Sequence, residues 1–304
     1  MSFEPDIGIT DYLSLLEMLS NAICDGGKKP LPVPDHVFIV EKHVLHNVKV
    51  ADDKNTCEIA GMCKLDSGEF LLADYGNSKI KVLNNNYQVI STCDVPDYLC
   101  DICTTGEREA AVTVIKDSER RYEILFFSFH SGTLLKTRSI KLEHKCAGLA
   151  HHSGNIYVTN ATALYVYDMA GGQGRKLYSD ETGQFTVFMC SVSPDGSRIY
   201  ITDNTHDQLV TLDKDGTKLS TLTHPELKDP SELHVTTHGH LFVSCPALGT
   251  VVQVIEKNGG QTVTTLAGQD MLTTPRALCY NSSNNSIVFG QCENNNIVEL
   301  QLKH

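Results

Sequence analysis

The stretch from Ser191 to Thr217, SVSPDGSRIYITDNTHDQLVTLDKDGT, leaves few folds open. Cys190 to Ser193, Arg198 to Thr202 and Gln208 to Asp213 are short runs that alternate or are wholly apolar. The breaks beside them, Pro194-Asp195-Gly196, Asp203 to Asp207 and Asp215-Gly216, are built of residues that accept turn geometry. The stretch reads as a β-meander of three short strands.

The same succession recurs along the chain. Gly61 to Leu65 leads through Asp66-Ser67-Gly68 to Phe70–Asp74, the corner Tyr75 to Ser78, and Lys79 to Leu83. Further copies begin at Gly148, Glu232 and Arg276, and a degenerate one at Asp101. Measured between Gly61, Asp101, Gly148, Ser191, Glu232 and Arg276, the period is about forty to forty-seven residues, the range in which four short strands build one propeller blade. Six copies predict an all-β fold, a six-bladed β-propeller spanning 36–304, and leave no room for a second large domain.

Residues 1–35 stand outside the repeat. Thr10 can cap a short amphipathic helix from Asp11 to Ile23, with Tyr12, Leu15, Leu16 and Leu19 on one stripe and Asp25-Gly26-Gly27 stopping it. Lys28 to Pro34 carries three prolines, which forbid helix and ladder alike, and reads as an extended linker. After it, His36 to Val50 is strand-like throughout. The last blade has strands only to Leu302, so part of this segment, His43 to Val50, is assigned to that blade as its outer strand, which closes the ring without an exposed edge.

Composition narrows the context. The 41% hydrophobic content is spread evenly rather than gathered into a membrane-length run, and the N-terminus shows no basic stretch followed by an apolar one. A cytosolic protein without membrane contact is expected. Its eleven cysteines are an odd number scattered over strands, as reduced core residues would be. A net charge of -12 works against binding a phosphate backbone, which disfavours RNA and DNA.

The string from Cys57 to Lys81, CEIAGMCKLDSGEFLLADYGNSKIK, resembles an NHL repeat: an apolar inner strand, a Gly turn, an apolar strand ending in Asp, then Asn and an Ile strand. Ile199 to Asn204 is similar, and Phe3-Glu4-Pro5-Asp6 with Ile9 and Tyr12-Leu13 resembles the segment ahead of the NHL propeller in tripartite-motif proteins. The second blade matches the motif weakly, and the fifth and sixth replace the strand-ending Asp with Cys245 and Gly290. The resemblance implies a substrate-recognition module of the kind found in tripartite-motif ubiquitin ligases, binding a protein partner. Ligase activity implies a RING, which needs closely spaced Cys and His pairs for zinc. Only Cys100-Asp101-Ile102-Cys103 has that spacing, so the chain itself is expected not to be an enzyme.

Two other functions fit a six-bladed ring: an RNA-binding NHL propeller, and a calcium-dependent lactonase or esterase of the gluconolactonase type. The second would recruit Asp101, Glu232, Asn160 and Asn204, since oxygen ligands suit calcium. His234, His238 and His240 are near one another in sequence, but His238 fills the turn slot that Asp195 fills one blade earlier. His151-His152 falls at an equivalent turn, and Gly171 to Gly174 replaces the Asp215-Gly216 turn. No metal or cofactor is expected. The corners between second and third strands gather with the blade connections on one face, and there Tyr75, Asn77, Asn204, His206, Gln291, Glu293 and Asn294, with Arg276 at the start of the last inner strand, form the expected partner-binding surface.

Overall fold

The computed structural model describes residues 36–303, apart from 96, 117–118 and 258–259, together with Pro34. The expected helix between Thr10 and Ile23, and the linker as far as Val33, lie outside these residues. Among those described, no helix is long and apolar enough to cross a membrane.

Among the described residues, twenty-four strands form six four-stranded antiparallel sheets. Blade I holds β2 (Ile59–Lys64), β3 (Phe70–Asp74), β4 (Lys79–Leu83) and β5 (Val89–Asp94). Blade II holds β6 (Tyr98–Gly106), β7 (Glu109–Lys116), β8 (Arg121–His130) and β9 (Thr133–Leu142). Blade III holds β10 (Leu149–His152), β11 (Asn155–Thr159), β12 (Ala163–Asp168) and β13 (Arg175–Ser179), and blade IV holds β14 (Cys190–Val192), β15 (Arg198–Asp203), β16 (Gln208–Asp213) and β17 (Lys218–Thr223). Blade V is built of β18 (Leu233–Val235), β19 (Leu241–Cys245), β20 (Thr250–Lys257) and β21 (Gly260–Ala267). Blade VI takes β22 (Pro275–Asn281), β23 (Ser286–Gln291) and β24 (Asn296–Lys303) from the end of the repeat, and β1 (Ile39–Asn47) from its beginning.

That last strand closes the ring. β1 runs antiparallel to β24, with His43 opposite Leu300 and His46 opposite Ile297. It begins and ends earlier than the expected His43 to Val50. A register shift between Val40 and Lys42 carries the pairing back to Ile39, and at Val48 the chain leaves the edge and turns inward, fully buried, with its N–H donating to the Asn295 carbonyl at 2.8 Å.

Apolar side chains do not meet in one central core. They form six clusters, one in each wedge between neighbouring blades, such as Leu71, Ile80 and Val82 of blade I against Leu99, Val112 and Phe127 of blade II. A sheet packed on both faces buries its polar alternation too, which is why β4, KIKVL, is buried at every position.

A hydroxyl on the second strand ties each inner strand in four of the blades. Thr159 Oγ1 accepts from Gly148 N–H at 2.8 Å, and Thr113, Thr202 and Ser244 do the same for Asp101, Met189 and Glu232 at 3.1, 3.1 and 3.0 Å. Thr113 also donates to the Ala147 carbonyl of the next blade at 2.9 Å, and Thr159 donates to that of Phe188. These bonds define one ring of equivalent positions: Gly61, Asp101, Gly148, Met189, Glu232 and, opposite Gly290, Ala277. The strand-ending Asp of blade VI is therefore replaced by Gln291, one residue after the expected Gly290.

Candidate functional site

Every inner strand starts on the face of the blade connections and ends on the face of the first turns, so the ring just defined lies at one depth across the central channel. Blades II and V are opposite members of a ring of six, which sets Asp101 against Glu232 across the axis. A cavity of about 440 Å³ fills the channel from this layer outward; its deepest lining residues are Asp101 and Glu232, and exposed Asp66, Thr237 and Ser283 stand at its mouth. It is a funnel that opens on the first-turn face.

Both acids are buried, at 4% and 7% exposure. The Asp101 carboxylate accepts from Ile102 N–H and, across the blade boundary, from Leu149 N–H, each at 2.7 Å. Glu232 Oε1 accepts from Leu233 N–H at 3.1 Å, while Oε2 has no partner among the described residues. Burial raises Asp101 to about 7, against the pull of its two backbone donors. Burial, reinforced by the Asp101 charge, holds Glu232 well above the usual carboxylate range. Gly61 makes this layer possible, since a Cβ there would stand 2.6 Å from Asp101 Oδ1.

Cys63, Cys103, Cys190 and Cys279 also line the funnel, with His234. Burial pushes the thiols of Cys63, Cys103 and Cys190 well above their ordinary value and that of Cys279 to about 12, so all four stay protonated at neutral pH. Burial lowers His234 to about 4, leaving a neutral imidazole. Cys100 does not share the funnel with Cys103. The three nearby histidines diverge: His234 faces the channel, His238 is exposed on its turn, and His240 packs its ring 4.8 Å from that of Phe38. Asn160 and Asn204 do not join Asp101 and Glu232. Asn160 Oδ1 accepts from Thr162 and Ala163 N–H within its own corner, and Asn204 donates to Asp229.

Among the described residues, Asp53, Cys57 and Asp74 bring three metal-ligating atoms within 4.8 Å of one another. An ammonium already occupies their centre. Lys81 Nζ lies 2.6 Å from Asp53, 2.8 Å from Asp74, 2.9 Å from the Val48 carbonyl and 3.1 Å from Cys57 Sγ. This cluster joins the closing strand to blade I.

The opposite face carries the corners. Tyr75, 38% exposed, stacks on Tyr98, 51% exposed, with ring centroids 5.3 Å apart, so the pair bridges blades I and II. Beside it Arg276 Nη1 lies 2.7 Å from Glu58 Oε1, tying blade VI to the entry of blade I, and the charges of both reach the Tyr75 hydroxyl. Gly76 lets this corner approach the neighbouring chain, since a Cβ would stand 2.7 Å from the Thr56 carbonyl. His206 is held by Asp203, which accepts from its N–H and ring nitrogen at 3.0 and 2.9 Å.

The other expected surface residues hold backbone. Asn77 donates to Asp74 at 2.9 Å and accepts from Asn55 N–H at 2.9 Å. Gln291 is 2% exposed, in the wall rather than on the open face, and its amide oxygen accepts from the N–H and hydroxyl of Thr273 at 2.9 and 2.8 Å. Asn294 caps Asn296 N–H, and Glu293 is exposed with a left-handed backbone, φ 48°. Tyr98 was missing from the expected set, although its place at the entry of an inner strand puts it on the connection face.

No protein-family model matches the chain, and no curated protein matches it significantly. Solved structures do share its fold. A streptogramin B lyase is similar over 86% of this chain and 98% of its own, with a TM-score of 0.63 at 11% identity. Virginiamycin B lyase from Staphylococcus aureus matches over 86% and 100% with a TM-score of 0.61 at 11% identity. An auxiliary nutrient binding protein from Bacteroides ovatus matches over 86% and 77% with a TM-score of 0.66 at 14% identity. The likeness is one of propeller fold.

Proposed function

We propose that this propeller is a protein-interaction module that takes its partner on the connection face, around Tyr75, Tyr98 and the Glu58–Arg276 pair. The observation that carries the reading is the stacked Tyr75–Tyr98 pair, two large rings that stay partly open to water across a blade boundary. Tyr and Arg are the side chains that most often carry interface energy, because each joins a large contact area to a polar tip. Burying them against a protein removes that area from water, whereas burying them against a nucleic acid brings a chain of net charge -12 against phosphates.

The resemblance of Cys57 to Lys81 to an NHL repeat makes the finer reading substrate recognition for a ubiquitin ligase of the tripartite-motif kind. On that reading the propeller chooses the substrate and is not itself catalytic. Immobilised propeller and its Tyr75→Ala/Tyr98→Ala variant, incubated with lysate and compared by quantitative mass spectrometry, test it. The expected result is a protein retained by the wild type and at least about tenfold depleted on the variant at unchanged melting temperature. Equal recovery on both, or recovery abolished by ribonuclease, overturns it.

A further inference from the structure

We propose that the floor of the central funnel binds an ammonium group, presented by a small organic amine or by a lysine side chain, between the opposed carboxyls of Asp101 and Glu232. The inference is independent of the interaction rim, which lies on the other face.

Glu232 is the starting point. A carboxyl oxygen buried to this degree is normally hydrogen-bonded, because leaving it bare costs the loss of its water. Oε1 is satisfied by Leu233 N–H, yet Oε2 has no partner among the described residues and stands at the deepest layer of the cavity. Asp101 faces it from the opposite blade. Its backbone bonds to Ile102 and Leu149 use one lone pair on each oxygen and leave the others available. The layer is built for this arrangement, since Gly61 yields the space that the Asp101 carboxylate fills.

Among the described residues, no Lys or Arg reaches the floor. Lys64 is the sole Lys or Arg among the described residues lining the funnel, and it is tied at the mouth to Asn281 Oδ1 at 2.8 Å and Ser283 Oγ at 2.6 Å. The same chain shows what satisfies buried carboxylates elsewhere: Asp53 and Asp74 enclose the Lys81 ammonium. At the channel floor two carboxyls line one cavity, with Glu232 Oε2 turned to no partner among the described residues.

The donor set suits an amine rather than a directly ligated metal. Among the described residues three ligand atoms converge within 4.8 Å at Asp53, Cys57 and Asp74, and no such group forms in the channel. An ammonium has three donors and needs only acceptors and water, while structural zinc needs four converging ligands and calcium six to eight. A volume of about 440 Å³ is also the size of a small-molecule site, wide enough for an alkyl chain to follow the ammonium inward.

The surroundings set the pH response. Of the other groups lining the funnel around the two acids, Cys63, Cys103, Cys190 and Cys279 remain thiols and His234 remains neutral through the window from pH 5 to 8; Asp66, Lys64 and His151 stand further out towards the mouth. Asp101 and Glu232 are then the groups that ionise. A cation must displace the proton they hold at low pH, so affinity rises with pH while the amine stays charged.

The experiment titrates the full chain with n-butylamine, 1,4-diaminobutane and a doubly capped lysine tripeptide, with Mg²⁺ and Ca²⁺ in parallel, following the amide resonances of Ile102, Leu149 and Leu233. Saturable shifts of these amides with an amine are expected, strengthening at least about threefold between pH 6 and pH 8 and weakened at least about tenfold by Glu232→Gln. Response to the free amines but not the tripeptide assigns the site to a small molecule; response to the tripeptide assigns it to a lysine side chain. Calorimetry of the wild type in two buffers of different ionisation enthalpy reports the released proton, which keeps the test decisive if the variant does not fold. No saturable shift with any amine up to about 50 mM, shifts unchanged in Glu232→Gln, no proton release, or response to Mg²⁺ or Ca²⁺ alone overturns the proposal.

Discussion

The Lys81 ammonium lies 2.8 Å from the Asp74 carboxylate with both side chains wholly out of water. Burial pulls the Lys81 pKa down, and the Asp53 and Asp74 bonds outweigh it, so the group stays charged and its pKa is raised. For Asp53, burial pushes the other way and Lys81 with Val50 N–H wins, holding it below the ordinary carboxylate value. Removing one partner of such a pair strands the others. Lys81→Met is expected to cost about 3–5 kcal/mol at pH 7. Because Asp53 stabilises only where it is ionised, its contribution is present above its unfolded pKa and lost as pH falls through the lowered folded value. The gap between wild type and variant should therefore narrow in melts run below pH 4; a gap independent of pH counts against the charged cluster.

Closure gives a second expectation. A chain starting at residue 36 keeps β1 and the Val48 carbonyl that Lys81 uses, while one starting at residue 51 opens the edge of β24 and removes that acceptor. The first truncation should melt like the full chain. The second should melt at least about 10 °C lower, a loss of a few kcal/mol for a domain of this size, or self-associate through the bare edge on a sizing column. Equal melts for both refute the closing role.

Thr159→Val tests the hydroxyl tie between blades. It leaves Gly148 N–H and the Phe188 carbonyl without their partner in a buried setting, which costs about 1–3 kcal/mol. Gln291→Ala empties the space of a side chain that is 2% exposed and should cost about 1 kcal/mol or more, while His206→Ala, at a side chain 40% exposed, should fall within about 0.5 kcal/mol. Urea unfolding of the three variants checks the order.

Glu232→Gln should change the pH profile of stability. A carboxyl whose folded pKa is raised keeps its proton while the unfolded chain loses one, so wild-type stability falls as pH climbs from about 4.3, the unfolded glutamate value, through the raised folded value. The variant has no such slope from this residue. Its melting temperature relative to wild type should rise between pH 5 and pH 7.5 in the absence of any amine; a constant difference means that Glu232 does not hold a proton in the folded state.

Six blades and a closing strand could be read from the repeat because turn residues recur at a fixed period, and turns are local. Register could not: Gly290 and Gln291 are adjacent, and only the pairing of β23 with β22 and β24 shows which of them occupies the Asp74 position. Lys81 was invisible for a related reason. In KIKVL the two lysines alternate with apolar residues as on a solvated strand face, but a blade has no solvated face, so the polar stripe is buried as well. Asp101 and Glu232 could be singled out as acids near inner strands, whereas Asn160 and Asn204 could not be separated from them, since depth along the channel depends on a strand entry that the turns leave open by one or two residues.

The bond between His46 and Glu299 joins residues 253 apart in sequence. A ribosome making the ring in order releases β1 ahead of five whole blades and its partner β24 behind them, so the closing strand waits through five blades for its partner. The ring is thus an intramolecular clasp whose second half arrives only after the five intervening blades, and the interval before it arrives is when pairing with the wrong chain is easiest.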